Sequence, residues 1–470
     1  MTSATPTARA AVGMGVIAAV SRAVGFVRVL VIAAVLGTTY LGNAFQAANS
    51  VSNVLFELLA AGALSAVLVP TFVDLLDQGD DEGAEEVAGG VLGVAVVVLG
   101  VVSLVGIVAA PLLARALTVG VPADTVEDQR ELITHLLRFF VPQVVLYAAG
   151  TIATAVLYAK RRFAVTAAAP IGNTVVMVAF LLLFRSAAGP GPGLDLDSGE
   201  RWLLVLAGTG GVVAFVGTLL VACRTSGFRL RPRWLGRDPR IVAVLRHSGW
   251  GVVLHSAGGA LLGAAIVGGS AVEGGVVAYQ VGWVFFLAPY AVLAQPIHTA
   301  ILPELVAEGR EDLSRFRASI RWSLERMALF VLPVSAAMAA LALPAMRIVS
   351  FGEAAESGPE LLAAAVAALA FGLFPYGAFL LLARGFYALG DSRTPGLVSV
   401  AVAAVGVVLI AVVAPLTDGA ARVAVLGAGH SVAYLIGAAV LLVGLARRTG
   451  GALWPVAAIP ISVVSAVAGV

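Results

Sequence analysis

Charge is what this chain has least of: 12% of its 470 residues are Asp, Glu, Lys or Arg, against 60% hydrophobic. That leaves too little polar surface to coat a soluble globule of this size. A single cysteine, Cys223, excludes an internal disulfide. The five histidines, His135, His247, His255, His298 and His430, are scattered, and no two share ligand spacing on one helix. Neither a metal centre nor a cofactor is therefore expected. A phosphate-cradling glycine loop and a nucleophile triad are also missing, which argues against an enzyme and against a nucleotide-driven pump. Any transport would draw on an ion gradient, the membrane potential or the substrate's own gradient. The formal net charge of +2 is uninformative about ligands, and no nucleic-acid partner is expected. The amino end does not read as a cleavable signal, because the apolar run from Ala10 to Gly37 is too long and is interrupted by Arg22 and Arg28.

What the chain does have is long apolar runs. They recur at roughly 20 residues or more, enough to cross a ~30 Å hydrocarbon core as a helix, whereas a β-barrel would show short alternating segments. The expected spans are 10–37, 46–76, 88–118, 133–159, 163–184, 202–223, 241–269, 276–304, 321–350, 361–389, 396–416, 421–446 and 452–470. Alternate loops carry the basic residues: Lys160 to Arg162, the run from Arg224 to Arg246, Arg310 to Arg317, Arg393, and Arg447 with Arg448. Since Lys and Arg stay on the cytoplasmic side, the N-terminus is expected in the cytoplasm. One loop on that side, Asp74 to Glu86, is acidic instead. The long basic loop reads first as a topological anchor between halves, with anionic lipid binding as the alternative.

The chain also echoes itself at an offset near 230 residues. Ala66 to Val73, centred on Pro70, matches Thr299 to Val306, centred on Pro303, and Val141-Pro142 matches Phe374-Pro375. The expected architecture is an all-α polytopic membrane protein with two pseudo-symmetric six-helix lobes, 1–230 and 231–450, and at least one additional C-terminal segment at 451–470.

Arg22 and Arg28 stand inside the first apolar segment. An arginine at the centre of a membrane helix costs roughly 2.5 to 3.5 kcal/mol on insertion scales, so it needs a cavity, a partner or a ligand. Six residues separate the two, about 240° around a helix, so they do not share a face. The deeper Arg28 is the better candidate for an anion, since guanidinium binds phosphate through paired donors. In the second segment Gln46, Asn49, Asn53 and Glu57 follow at helical spacing. Such a stripe faces a wet cavity or another helix rather than lipid, and Glu57 is an expected partner for Arg28. On the eighth span Gln280 and Gln295, with Tyr279 and His298, are read as facing the same cavity or bonding to neighbouring helices.

These residues resemble the MurJ (MviN) lipid II flippases of the multidrug/oligosaccharidyl-lipid/polysaccharide exporter superfamily, over nearly the whole length. The resemblance is carried by Ser21-Arg22, Gly25-Phe26 and Arg28, and by Asn53 followed by Gly62-Ala63, Ser65 and Val69-Pro70. Pro289, Leu302-Pro303, and Gly385-Phe386-Tyr387 with Asp391 and Thr394-Pro395 complete it. It implies a flippase of the bacterial inner membrane that moves lipid II, or a related undecaprenyl-pyrophosphate-linked saccharide, by alternating access. It also implies membrane lipids and cell-wall synthesis proteins as partners. Arg22, Arg28 and Asn53 stand at matching positions. The chain departs from the family at Val29, Asn43, Phe56, Glu57 and Val284, where acidic or basic residues are expected. The cavity thus loses positive charge and gains a carboxylate. Three alternatives stay open at the level of sequence: another polyprenyl-linked saccharide as substrate, an ion-coupled exporter of cationic compounds using Glu57, and an inactive cell-wall scaffold.

Overall fold

A computed structural model describes residues 6–56, 62–234 and 249–453, and among the described residues the chain is helical nearly throughout, with no strand. Glu57 and most of the expected last span, 454–470, lie outside them. Eight helical stretches among the described residues are long and apolar enough to cross a membrane, and one bent helix pair makes a ninth. The chain is therefore a multi-pass helical membrane protein. The expected 46–76 span is divided between two helices, with residues 57–61 outside the described set.

Two compact units divide the chain. The first takes in α1 (Pro6–Leu36), most of α2 (Tyr40–Phe56), α3 (Gly62–Asp77), α4 (Asp81–Leu117), α5 (Val126–Phe140), α6 (Gln143–Ala159), α7 (Phe163–Ala188) and α8 (Ser198–Thr225). Asp80 starts α4 by accepting the Gly83 N–H at 2.9 Å. Asp197 and Glu200 form a reciprocal capping box at the start of α8. α7 packs along both α1 and α8.

One end of this unit explains the acidic loop. Lys160 Nζ lies 3.2 Å from Asp81, and Glu85 accepts the Arg229 backbone N–H at 2.6 Å. Two of its acids are thus met by the loops that follow α6 and α8. From there the extended segment 229–234 runs along α4, where the Arg233 N–H bonds to Gly89 O at 2.8 Å. A Cβ on Gly93 would stand 2.0 Å from Arg233 O, so only glycine admits the segment at that point.

The second unit contains residues 37–43, 119–122 and the chain from Ala257. Its helices are most of α9 (Gly249–Ser270), α10 (Gly275–Pro289), a π-turn (Tyr290–Ala294), α11 (Gln295–Glu311), α12 (Leu313–Ala340), α13 (Ala342–Val349), α14 (Glu353–Ser357), α15 (Pro359–Ala370), α16 (Leu373–Ala388), α17 (Arg393–Val413) and α18 (Gly419–Thr449). Buried Asn43, in the first turn of α2, bonds to the turn between α9 and α10. Its Nδ2 donates to Val272 O at 2.8 Å, and its Oδ1 accepts the Val276 N–H at 2.9 Å. Gly274 in that turn has φ +74°, and a Cβ there would meet the Thr38 carbonyl carbon at 2.5 Å.

Helix breaks repeat between the units. α5 ends at Phe140 and α15 at Ala370, α6 starts at Gln143 and α16 at Leu373, and α7 starts at Phe163 and α17 at Arg393, each pair 230 residues apart.

Asp391 closes the turn between α16 and α17. It accepts the Thr394 N–H at 3.0 Å and the Thr394 hydroxyl at 2.8 Å, and Arg448 donates to it as well. Burial alone pushes this carboxyl up, but the Thr394 bonds and Arg448 outweigh it and hold it below its ordinary value. With the folded value below the unfolded one, the stabilisation is complete above the ordinary carboxylate range and disappears as pH falls through the folded value. Asp391→Asn is therefore expected to cost about 1 kcal/mol at pH 7. The difference from wild type should close at acidic pH, once the carboxyl is protonated in the folded chain. Thermal unfolding of the purified chain at both pH values checks this.

Candidate functional site

The first unit brings together side chains from α1, α2 and α6. α5 and α6 part at Val141-Pro142, because proline has no N–H to continue the helix. The Val144 N–H turns to Val141 O at 3.2 Å, and the Ser52 hydroxyl of α2 donates to Phe140 O at 2.5 Å. Phe45 packs edge-on against Phe140 at 5.8 Å. This fastening sets the carboxyl half of α2 beside the first turns of α6. There Tyr147 Oη donates to Asn53 Oδ1 at 3.3 Å.

Arg28 of α1 is the third member. It is half-buried, and the Tyr147 phenol is its electrostatic neighbour. Its Nε is buried and has no hydrogen-bond partner among the described residues. A buried guanidinium donor left unpaired is costly, and a planar fork of this kind suits a phosphate oxygen pair. Tyr147 and the Asn53 amide add neutral donors and acceptors suited to hydroxyl or amide groups.

The structure distributes the other sequence candidates as follows. Arg22 is exposed and engaged in its own interactions, and it does not share the Arg28 face. Along α2 exposure rises from Gln46, which is 4% exposed, through half-buried Asn49 to exposed Asn53. Glu57, the expected partner of Arg28, lies outside the described residues. Gln280 is half-buried on α10 in the second unit, Tyr279 is packed in that unit's core, and buried His298 meets the Tyr290 hydroxyl at 3.4 Å. Tyr147 escaped the sequence reading. Its only signal was a lone hydroxyl on the apolar helix that follows Pro142.

A helical membrane protein with repeated helix breaks and an arginine in an apolar segment whose Nε has no partner among the described residues is built as a carrier. A family model described as "Lipid II flippase MurJ" matches residues 32–470. The chain belongs to this lipid II flippase MurJ family, and it is a transporter rather than an enzyme. Among curated relatives, the lipid II flippase MurJ of Burkholderia cenocepacia is 26% identical over 441 residues, covering 91% of this chain and 81% of the relative. Among solved structures, a lipid II flippase MurJ in an inward closed conformation matches with TM-score 0.77 at 16% identity, covering 97% of this chain and 91% of the other. An inward-facing multidrug resistance MATE transporter of the MOP superfamily matches with TM-score 0.70 at 15% identity, covering 90% of this chain and 94% of the other. At these identities the likeness to the solved structures concerns the fold.

Proposed function

We propose that this chain carries lipid II from the inner to the outer leaflet of the bacterial cytoplasmic membrane, with its N-terminus in the cytoplasm. Two lobes, 1–230 and 231–450, alternate their openings, and Arg28 holds the pyrophosphate. The observation that carries the site is the buried, unpaired Arg28 Nε beside the Tyr147–Asn53 pair. Tyr147 and Asn53, with Asn49 and Gln46 along the same helix, offer neutral hydrogen bonds to the sugar or peptide part. Arg22 assists at the cytoplasmic mouth. The basic loops support the orientation. Cell-wall synthesis proteins that make or consume lipid II are the partners this role requires.

The test is complementation in a bacterium whose own lipid II flippase can be switched off, scored by growth and by lipid II exposed on the outer leaflet. Rescue that depends on Arg28 is the expected result. Failure by a chain shown to be inserted and stable would count against lipid II as substrate and direct the search to another polyprenyl-linked saccharide.

A further inference from the structure

The second unit holds a buried histidine that the flippase site does not use. His430 of α18 is 3% exposed, and neither ring nitrogen has a hydrogen-bond partner among the described residues. Any neutral imidazole keeps one donor and one acceptor, so two polar atoms are left unsatisfied in an apolar lobe, which calls for an explanation. The surroundings are aromatic. Ring centroids lie 4.6 Å away at Trp283, 4.7 Å at Tyr434, 5.6 Å at Phe286 and 6.2 Å at Tyr376. A cation at that position would be attracted by these ring systems.

Two helix irregularities border the same spot. α15 and α16 are bent by 42° at Phe371-Gly372, one turn before Tyr376. Gly372 sits against α18 beside the histidine, where an added Cβ would stand 2.9 Å from Ser431 Cα, and the Ser431 hydroxyl donates to Ala368 O at 2.8 Å. Nearby, α10 runs into the π-turn Tyr290–Ala294, and Tyr290 stands 5.0 Å from Tyr376. Bends and π-turns of this kind are frequent at functional sites of membrane helices.

No charged group acts on His430 among the described residues. Tyr376 from α16 and Tyr434 from α18 face it, and α10 contributes Trp283 and Phe286, while Tyr279 interacts with Tyr434. α15 and α17 carry their ionisable residues, Glu360 and Arg393, in their first turns. Arg384 of α16 acts on His298 rather than on His430. α12 meets α18 at its far end, where Arg317 bonds to Thr449 O. Arg422, Arg447 and Arg448 lie at the ends of α18.

We propose that His430 is a proton-binding site that couples the second lobe to the proton gradient. When the lining parts at the bend or the π-turn, one ring nitrogen takes a proton from water and the imidazolium is held by the surrounding rings. The same proton returns to water when the lobe opens to the other side. Proton binding stands by itself, whereas its coupling to transport rests on the flippase reading above.

The experiment uses the full chain in lipid nanodiscs. An imidazolium beside an indole quenches its fluorescence, and subtracting the spectrum of Trp283→Phe isolates one of the six tryptophans. The expected result is a Trp283 component that falls as pH is lowered. It should be lost in both His430→Gln and His430→Phe, the second of which keeps an aromatic ring in place should the first fail to fold. A Trp283 titration unchanged in these variants, or absent from wild type, would overturn the site. In proteoliposomes a pH gradient should change wild-type lipid II translocation several-fold, with that response lost in the variants. Wild-type translocation indifferent to the gradient would overturn the coupling. An intact fluorescence titration with no lipid II movement would leave the proton site standing and remove the flippase reading instead.

Discussion

Replacing Arg28 with alanine is expected to lower lipid II translocation by about a hundredfold or more while leaving the chain inserted and folded. Two charge-assisted hydrogen bonds to a pyrophosphate are worth roughly 1.5 to 3 kcal/mol each, and each 1.4 kcal/mol is about a factor of ten. Folding should suffer little, because the Arg28 Nε is buried without a partner among the described residues and its removal relieves that cost. Lysine at the position should be intermediate, since it keeps the charge but loses the planar fork. The measurement is outer-leaflet lipid II in cells depleted of their own flippase, read against thermal unfolding of each purified variant. Wild-type translocation by Arg28→Ala would eliminate the proposed anion contact.

Replacing Asn43 should do the opposite, damaging the fold first. The Asn43 amide is fully buried and satisfies Val272 O and the Val276 N–H. Alanine would strand both backbone groups, at roughly 1 to 3 kcal/mol apiece. A fall in Tm of several degrees, or loss of folded protein from the membrane, is the expected outcome. Aspartate is the more informative variant. It keeps the acceptor for Val276 but turns the Val272 donor into a second acceptor, so at neutral pH two oxygens oppose each other. Asn43→Asp should therefore be destabilised at pH 7 and recover part of the loss at acidic pH, where a protonated carboxyl can donate again. Equal Tm for wild type and Asn43→Ala would show that the bridge contributes nothing.

The same position shows where sequence reading reached its limit. Compared with the family, Asn43 registered as a missing charge near the substrate cavity. In the fold it belongs to a backbone bridge that needs one donor and one acceptor on the same side chain. The acidic loop from Asp74 to Glu86 likewise looked like an exception to the basic cytoplasmic pattern. Lys160 and the Arg229 backbone meet two of its acids, and their approach depends on how α4, α6 and α8 pack.

Arg28 was legible from sequence for a different reason. Charge inside a membrane-length apolar run is anomalous whatever surrounds it, so one residue and its neighbours suffice to mark it. Tyr147 and His430 carry no such anomaly. A tyrosine or histidine in an apolar helix gains meaning only from what it touches, and Asn53 is 94 residues from Tyr147.

By itself, then, the sequence determined that this is a helical membrane protein with an internal echo near 230 residues, basic residues gathered in alternate loops and an arginine inside an apolar run. These are local properties of spacing, hydropathy and charge, set by the length of a helix that crosses hydrocarbon. Only the tertiary structure decided that Asn53, Tyr147 and Arg28 form one cluster, that Asn43 bridges a turn 229 residues away, and that His430 sits among aromatic rings with no hydrogen-bond partner among the described residues. Apolar helix faces can pack in many registers, and which polar atoms meet follows from the one register that the packed lobes select.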